Sequence, residues 1–217
     1  MRLLLAGGTG LIGGEVLRLG LSQDHEITTV GRRPTGMTSS EIVSSFDVLP
    51  RLPPADNAIC ALGTTIRQAG SQAAFRAIDE EAVVSFAKAA KAADVEHFLI
   101  VTAVGANPDA SVFYSRVKGL AEQRLVKIGF DRLDIIRPGL LLGHRAERRL
   151  IEALLRHIAP ATDRLMQGKW RRYRSVRATD VAQCLLGLAA NNEPGVYTHH
   201  FDDIMEALQS PSQGVTR

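Results

Sequence analysis

The sequence has few cysteines and no long apolar segment. Cys60 and Cys184 are far apart and lie in apolar surroundings, which favours buried free thiols over a disulfide framework and fits a reducing compartment. The apolar start MRLLLA is too short for the apolar region of a signal peptide. No run approaches the roughly 20 apolar residues that a membrane span needs. We therefore expect a soluble, cytoplasmic protein with no membrane span.

The sequence also lacks a metal-ligand pattern and a strong charge imbalance. Its six histidines show no metal-ligand spacing, and His199-His200 is interpreted as a surface pair rather than a metal site. Lys and Arg number 26 against 23 for Asp and Glu, so the net charge is +3. This charge mildly favours anionic ligands without requiring nucleic acid.

What the chain does have is a series of short, nearly continuous apolar runs. They are Leu3 to Ala6, Ile27 to Val30, Ala58 to Leu62, Phe98 to Val101 and Leu133 to Ile136. Such runs are typical of strands buried on both faces of a parallel sheet. A further short strand is predicted near Ile42 to Ser45, and the tail after Ser210 is predicted to be loose.

Segments with helical spacing separate these runs. In the clearest, Asp79 is predicted to cap a helix that buries Val83, Phe86, Ala87 and Ala90 on one face. Strands that alternate with helices indicate an α/β fold with a doubly wound parallel sheet. A length of 217 residues with 45% hydrophobic content favours one Rossmann-type domain over residues 1–217, in which about 140–217 form a small substrate-side cap.

The stretch AGGTGLIGGEVL, residues 6–17, is rich in glycine. It lies where the first predicted strand ends and the first predicted helix begins. Gly8, Gly10 and Gly13 fit GxGxxG, whereas Gly7, Gly10 and Gly13 fit GxxGxxG. Glycine permits a tight turn and lets backbone amides approach a pyrophosphate at the helix N-terminus. A plain glycine-rich turn is the alternative. The predicted cofactor contacts here are Gly7, Thr9, Gly10, Leu11, Ile12 and Gly13.

The end of the second predicted strand indicates which dinucleotide is bound. Rossmann proteins that bind NAD usually carry an acid there for the ribose 2'-hydroxyl, but Val30 is followed by Gly31, Arg32 and Arg33. Guanidinium groups can form bidentate bonds with a 2'-phosphate, so NADP is favoured and NAD is less so. A solvated basic turn is the alternative. Asp47 is predicted to accept a hydrogen bond from the adenine amino group, unless it is an ordinary turn aspartate.

The pair Tyr114 and Lys118 is the candidate chemistry. Residues at i and i+4 are neighbours on a helix, so the phenol and the ammonium can face one cleft. A positive charge beside a tyrosine stabilises its phenolate and so suits it to general acid-base catalysis. The pattern YxxxK occurs often by chance. Here it lies at the start of the predicted helix that follows the strand Phe98 to Val101, beside the crevice where Rossmann ligands bind.

With these motifs the sequence resembles an atypical short-chain dehydrogenase/reductase. The stretches CALGTT, QAGS, FLIVTAVGA, FYSRVKG and RPGLLLG are similar to the family of the human Tat-interacting oxidoreductase and its bacterial relatives, from residue 2 to about residue 190. The resemblance implies that Ala61, Leu62, Gly63 and Thr64 lie against the ribose and nicotinamide side of the cofactor. It also implies that Lys118 binds the nicotinamide ribose, and that Pro138, Gly139 and Leu140 form a backbone edge near the carboxamide.

One position departs from the family pattern. Short-chain dehydrogenases use a Ser or Thr near the end of the strand before the tyrosine helix, to hydrogen-bond the reacting carbonyl. Here that end reads Thr102-Ala103, and Ala103 has no donor. Thr102 is the remaining candidate for the third catalytic residue, unless its hydroxyl serves only the local backbone.

A basic segment follows later in the chain. Lys169, Arg171, Arg172, Arg174 and Arg177 are interleaved with Trp170 and Tyr173, a pattern that nucleic acid or an acidic substrate group can use. The resemblance instead implies a lead into a helix capped by Thr179 or Asp180, with Val181, Leu185 and Leu188 on its buried face. Nucleic-acid binding is therefore the weaker interpretation.

The sequence thus predicts an NADP(H)-dependent oxidoreductase that acts on a small carbonyl or alcohol substrate by hydride transfer. Its catalytic residues are Tyr114, Lys118 and Thr102. The rival hypothesis is a regulatory protein that binds NADPH and a protein partner without turnover. Tyr114 and Lys118 favour the enzyme, and Ala103 favours the sensor.

Overall fold

The computed structural model describes residues 1–142 and 167–209, and its central feature is a parallel sheet. The strands are β1 (Arg2–Ala6), β2 (Glu26–Gly31), β3 (Glu41–Val43), β4 (Asn57–Cys60), β5 (His97–Val101), β6 (Arg132–Ile136), β7 (Leu141–Leu142), β8 (Val176–Arg177) and β9 (Gly195–His199). Seven of them form one sheet in the order β3-β2-β1-β4-β5-β6-β9, in which every pairing is parallel. β7 and β8 form a separate parallel pair. The predicted doubly wound α/β fold is confirmed.

Helices cover both faces of the sheet. They are α1 (Leu11–Ser22), α2 (Ile66–Ala69), α3 (Gln72–Arg76), α4 (Val83–Lys91), α5 (Phe113–Ile128), α6 (Ala178–Leu188) and α7 (Phe201–Gln209), with a π-helical turn at Ala77–Ala82 and a 3-10 helix at Gly168–Tyr173. α1 packs against α6 on one face, and α4 packs against α5 on the other. α6 and β9 come from the C-terminal part of the chain, so that part completes the sheet and its layers.

The alternation of side chains along each strand explains the continuous apolar runs. Leu3 and Leu5 contact the α1 and α6 layer, whereas Leu4 and Ala6 contact the α4 and α5 layer, and all four are buried. Because both faces of these strands are covered, most of their positions are apolar. The apolar run that begins at Ala58 continues two residues past its strand, since β4 ends at Cys60.

The predicted start of α6 is wrong. The helix begins at Ala178 and has no side-chain cap, so Thr179 and Asp180 lie inside its first turn. Its apolar face is as predicted, because Val181, Leu185 and Leu188 are buried. The tail after Ser210, which the sequence suggested to be loose, lies outside the described residues.

Both cysteines are free and buried, as predicted. Cys60 ends β4 and Cys184 lies on α6. Burial in the core raises the pKa of each thiol to about 12. Both therefore remain protonated near neutral pH and pack as small apolar side chains.

A buried carboxylate joins the strands at one side of the sheet. Asp134 on β6 is fully buried and accepts from His97 Nε2 at 2.7 Å, from Arg132 Nε at 2.6 Å and from His199 Nε2 at 2.6 Å. The prediction that His199 belongs to a surface pair is therefore wrong, since its ring ties β9 to β6. Within residues 1–142 and 167–209, no group of three or more His, Cys, Asp or Glu side chains is arranged to hold a metal ion.

Candidate cofactor and catalytic site

The glycine turn between β1 and α1 is built from close backbone contacts. The Gly10 amide donates to the Gly7 carbonyl at 2.7 Å. A Cβ on Gly13 would lie 2.2 Å from that same oxygen, and a Cβ on Gly7 would lie 2.5 Å from the carbonyl oxygen of Ala61. Gly7 also has a φ of +89°, which favours glycine. Neither position has room for a side chain, because the turn packs directly against the loop after β4.

Helix α1 starts at this turn without a side-chain cap. Gly10 is its N-cap residue and provides no capping group. The first amides of a helix lack intrahelical partners and carry partial positive charge. The first helical turn, which includes the predicted contacts Leu11, Ile12 and Gly13, therefore has the chemistry to bind an anionic group such as a pyrophosphate.

A cavity of about 320 Å³ opens in front of the glycine turn, a size within the usual range for small-molecule sites. Its lining residues are Gly7, Gly8, Thr9, Gly10, Thr29, Val30, Gly31, Arg32, Arg33, Thr35, Phe46, Ala61, Leu62, Gly63, Thr64, Gln68 and Ile78. The structure thus brings together the predicted glycine turn, the two arginines and the loop Ala61 to Thr64. The sequence does not predict Thr29, Phe46 and Ile78 as lining residues, because they belong to no recognisable local motif.

Arg32 and Arg33 stand at the open end of the cavity, directly after β2. Both are exposed, and within the part of the chain that the structure describes neither forms a hydrogen bond or an ion pair. Glu41 holds the loop that follows them, because its Oε1 accepts from the amides of Thr35 at 2.9 Å and Gly36 at 3.0 Å. The two guanidinium groups are therefore available to an anion at this end.

Asp47 lies at the margin of the same region. It is exposed in the turn after β3, and a hydrogen bond from Ser45 lowers its pKa. Its buried neighbour Phe46 lines the cavity, whereas Asp47 does not. The contact between Asp47 and an adenine amino group stays a prediction.

Tyr114 and Lys118 lie in the first two turns of α5. Tyr114 is partly exposed, and its ring packs against that of Phe75 with 5.5 Å between centroids. Lys118 is only 4% exposed, and its Nζ lies 2.7 Å from Asp79 Oδ1. Burial opposes the charge of Lys118, but Asp79 and the nearby Tyr114 outweigh it, so the pKa of Lys118 is raised. The lysine is therefore held as an ammonium ion beside the tyrosine.

Asp79 has a different role from the predicted helix cap. It lies inside the π-helical turn that joins α3 to α4, and it is 1% exposed. Its Oδ2 accepts from the Thr64 amide at 2.9 Å. A Cβ on Gly63 would lie 3.6 Å from both Asp79 Oδ1 and Lys118 Nζ. Asp79 thus joins Lys118 to the loop that lines the cavity, a connection missed in the sequence because its partner is distant along the chain.

The hydroxyl of Thr102, the candidate third catalytic residue, is hydrogen-bonded to a side chain. The residue is buried at the end of β5, and its Oγ1 donates to Glu122 Oε1 at 2.5 Å. Glu122, on α5, also pairs with Arg137 at 2.5 Å. A hydroxyl has one proton to donate, so in this arrangement Thr102 has none for a substrate carbonyl. Its partner is a side chain rather than the local backbone.

The segment Pro138 to Leu140 follows β6 at the same edge of the sheet. The carbonyl of Pro138 accepts from the Val104 amide at 2.9 Å, which fixes the segment beside the loop that leads to α5. These three residues do not line the cavity. Their contact with the cofactor carboxamide stays a prediction. We refer to Pro138–Gly139–Leu140 below as the ledge.

Relatives of known sequence identify the family. No family model matches the chain. Protein FMP52 of Coccidioides immitis (strain RS), described as mitochondrial, is 31% identical over 209 residues, which cover 86% of this chain and 85% of that protein. Protein HTATIP2 of Rattus norvegicus is 34% identical over 164 residues, covering 70% of this chain and 67% of the rat protein. The chain belongs to the HTATIP2 and FMP52 family. This bears out its resemblance to the atypical short-chain dehydrogenases/reductases.

Solved structures share the fold of this chain, although their sequences are less similar to it than those of the relatives above. The protein MoeE5, in complex with UDP-glucose and NAD, matches with a TM-score of 0.72 and 17% identity over 93% of this chain and 76% of its own. Human epimerase family protein SDR39U1 (isoform 2), with NADPH, matches with a TM-score of 0.66 and 24% identity over 92% of this chain and 74% of its own. These similarities support the Rossmann-type fold.

The expected cytoplasmic location is contradicted by the relatives. FMP52 proteins of Coccidioides immitis, Scheffersomyces stipitis and Candida albicans are all named as mitochondrial. The expectation was wrong because criteria for signal peptides and membrane spans do not separate the cytosol from a mitochondrial compartment. None of the helices described is both long and apolar enough to cross a bilayer.

Proposed function

We propose that the protein is an NADP(H)-dependent oxidoreductase that reduces a carbonyl compound to an alcohol, or catalyses the reverse oxidation, with Tyr114 as general acid and base. The observation that carries this proposal is the position of the Tyr114 and Lys118 pair. Lys118 contacts Asp79, which in turn binds the loop that lines the cavity in front of the glycine turn. Acid-base groups and this cavity therefore share one edge of the sheet.

The residues present fit a dinucleotide. At the glycine turn no side chain stands between a ligand and the backbone, since Gly7 and Gly13 have no room for one. The uncapped start of α1 suits a pyrophosphate. The loop Ala61 to Thr64 extends the cavity toward Lys118. When bound, NADPH would supply a hydride to the carbonyl carbon.

Arg32 and Arg33 support NADPH as the preferred cofactor over NADH. Both line the cavity at the end of β2, where an acid would favour a ribose hydroxyl. Neither has a charged partner in the described chain, so a 2'-phosphate would gain charge-assisted bonds without displacing another group. The relatives of known structure support binding of either dinucleotide, since their names include both NAD and NADPH.

The acid-base step follows from the geometry around Tyr114. Its phenol would donate a proton to the carbonyl oxygen as the carbon receives the hydride, and solvent would return the proton to the phenolate. The Lys118 ammonium would stabilise that phenolate. Asp79 keeps the ammonium in position, but its own charge offsets part of the stabilisation.

The direct experiment is a screen of aldehydes, ketones and quinones for NADPH consumption. Tyr114→Phe removes one oxygen and should lower turnover about 10² to 10⁴-fold on any substrate found, the usual contribution of general acid catalysis. NADPH affinity should change little. Tyr197→Phe is the matched control, because that hydroxyl lies on β9 and bonds the Pro194 carbonyl at 3.1 Å. Equal turnover by both variants would contradict the assignment of Tyr114.

A second candidate is a regulatory protein that binds NADPH and a protein partner without turnover. The engagement of Thr102 with Glu122 favours it, together with the missing donor at Ala103. A reductase of this type would have to orient its substrate carbonyl with Tyr114 alone or with another donor. Tight NADPH binding with no consumption across the whole screen would favour this candidate over the enzyme.

A further inference from the structure

The basic 3-10 helix Gly168–Tyr173 is fixed onto the ledge. A Cβ on Gly139 would lie 2.4 Å from the carbonyl oxygen of Arg174 and 2.7 Å from that of Tyr173. The Val176 amide also donates to the Leu140 carbonyl at 2.9 Å. The backbone of the basic segment therefore sits directly against the segment that follows β6.

The ledge is connected in turn to the start of α5. The Val104 amide donates to Pro138, and the Asn107 amide donates to the Ser115 carbonyl at 3.1 Å. Ser115 is the neighbour of Tyr114 in the first turn of that helix. The basic segment and Tyr114 are thus attached to the same rim of the sheet, on either side of the ledge.

Arg172 belongs to this segment and has no acidic partner among the described residues. Arg171 pairs with Asp202 at 2.6 Å, and Arg137, below the segment, pairs with Glu122. Arg172 is exposed, and among the residues described it forms no ion pair and no hydrogen bond. Its guanidinium carbon lies 5.2 Å from the centre of the Tyr173 ring. A guanidinium stacked in this way keeps its N–H groups available for an anion.

The 3-10 helix lies beside the end of β9, near His200. His200 follows β9 at the carboxyl edge of the sheet. Its pKa is lowered by burial first and then by the positive charges of Arg137 and Arg172, against the opposing charges of Asp203 and Glu122. Contacts on both sides of Arg172 give its location: Arg171 pairs with Asp202 at 2.6 Å, and the guanidinium carbon of Arg174 lies 5.7 Å from the centre of the Phe201 ring. The 3-10 helix therefore lies against the start of α7, beside the end of β9.

We infer that the substrate of the Tyr114 site carries an anionic group, a carboxylate or a phosphate, and that Arg172 binds this group. The inference rests on the proposed function, which it extends to the chemical class of the substrate. Arg172 is a specificity residue here, since it binds a group remote from the reacting carbonyl. A bidentate bond between guanidinium and carboxylate or phosphate gives both affinity and orientation.

The first test compares two substrates that differ in one charge. With NADPH, the wild type should reduce 4-carboxybenzaldehyde with a kcat/KM at least about tenfold above that for benzaldehyde, as expected for a hydrogen bond to a charged group. Arg172→Gln should remove the preference by raising KM for the acid. Arg51→Gln, which removes an exposed arginine elsewhere, should keep the preference. Equal kcat/KM values in the wild type would overturn the inference and leave the proposed function intact.

The second test needs no turnover, because the chain has a single tryptophan. Trp170 lies 5.8 Å from the Tyr173 ring, between centroids, and is 58% exposed, so its fluorescence reports on the basic segment. Benzoate or inorganic phosphate added to the NADP⁺-loaded protein should change this fluorescence with saturation in the wild type and not in Arg172→Gln. Benzyl alcohol should have no effect.

The two tests separate the two claims. A saturable, Arg172-dependent response to an anion, with no carbonyl compound reduced, would support the anion site and contradict the reductase. Whether benzoate or phosphate gives the response distinguishes a carboxylate substrate from a phosphorylated one. No response to either anion, in a protein that reduces both aldehydes equally, would overturn the anion site alone.

Discussion

The two halves of the crevice are built in different ways. The half at the glycine turn consists of backbone atoms in close contact, where Gly7 and Gly13 leave no room for a Cβ. The half at Tyr114 consists of buried charged side chains, with Lys118 held by Asp79. The first half should therefore be sensitive to added volume and the second to removed charge. We propose that the first half binds the cofactor and that the second acts on the substrate.

The largest effect is expected from removing charge in the Tyr114 half. Asp79→Asn leaves the Lys118 ammonium buried without its carboxylate, which should lower the free energy of unfolding by about 3–5 kcal/mol. Turnover should fall as well, because Lys118 loses its fixed position. Urea unfolding monitored by circular dichroism measures the first effect.

Glu81→Gln is the control for this substitution. Glu81 is a nearby acid on the same chain segment, but its side chain is 53% exposed and pairs with Arg124 at the surface. Its loss should cost no more than about 1 kcal/mol. Similar destabilisation by both variants would show that the buried Asp79 and Lys118 pair contributes no more to the free energy of unfolding than an exposed ion pair.

Added volume should act on the glycine half. A methyl group at Gly13 would meet the Gly7 carbonyl at 2.2 Å, whereas one at Gly14 would meet only the Gly8 carbonyl at 3.5 Å. Overpacking of this kind costs about 1–3 kcal/mol, and the clash can be relieved by a shift of the Gly7 turn, which lines the cavity. If that cost falls on the cofactor-binding conformation, Gly13→Ala should weaken NADP⁺ binding by up to about a hundredfold. Gly14→Ala should leave it unchanged. Titration calorimetry on both variants decides, and equal affinities would contradict the close-packed turn.

The arginines after β2 are expected to have a smaller, selective effect. Replacing both Arg32 and Arg33 by alanine should weaken NADPH binding at least about tenfold, through the loss of charge-assisted bonds. NADH binding should remain nearly unchanged. A double variant at exposed Arg51 and Lys88 controls for net charge. If the wild type binds both cofactors equally, the assignment of the 2'-phosphate site is wrong.

The smallest effect concerns a buried charge outside the crevice. Burial opposes the charge of Asp134, but hydrogen bonds from His199, His97 and Arg132 outweigh it, and the pKa falls below its usual 3.8. A lowered pKa stabilises the folded state fully above the unfolded value, and this stabilisation is lost as the pH falls. Below about pH 4 the wild type should lose about 1 kcal/mol per pH unit through this group.

Asp134→Asn provides the comparison for the acid range. The variant should be less stable at neutral pH and should have a flatter stability curve below about pH 4. Its affinity for NADP⁺ at neutral pH should equal that of the wild type, since Asp134 lies outside the cavity. A change in affinity would mean that the charge of the buried Asp134 is coupled to the cofactor cavity.

The contrast between the halves also explains what the sequence could predict. The glycine turn is a local pattern, and Tyr114 and Lys118 are one helical turn apart, so their positions followed from spacing alone. Asp79 and Glu122 have partners on other elements, at Lys118 and at Thr102 and Arg137. Local rules made Asp79 a helix cap and left Glu122 unnoticed. Pairing between buried charges that are far apart in the sequence depends on the packed fold, and no local sequence pattern predicts it.

The most direct test of the account follows the hydrogen that the cofactor gives up. NADPH carrying deuterium at the transferred position is incubated with the protein and a substrate from the screen, and the alcohol is analysed by mass spectrometry. We predict that the alcohol carries the deuterium on the former carbonyl carbon, and that Tyr114→Phe slows its formation about 10² to 10⁴-fold. Tight binding of NADPH with no deuterium in any product would contradict the assignment of this protein as a reductase.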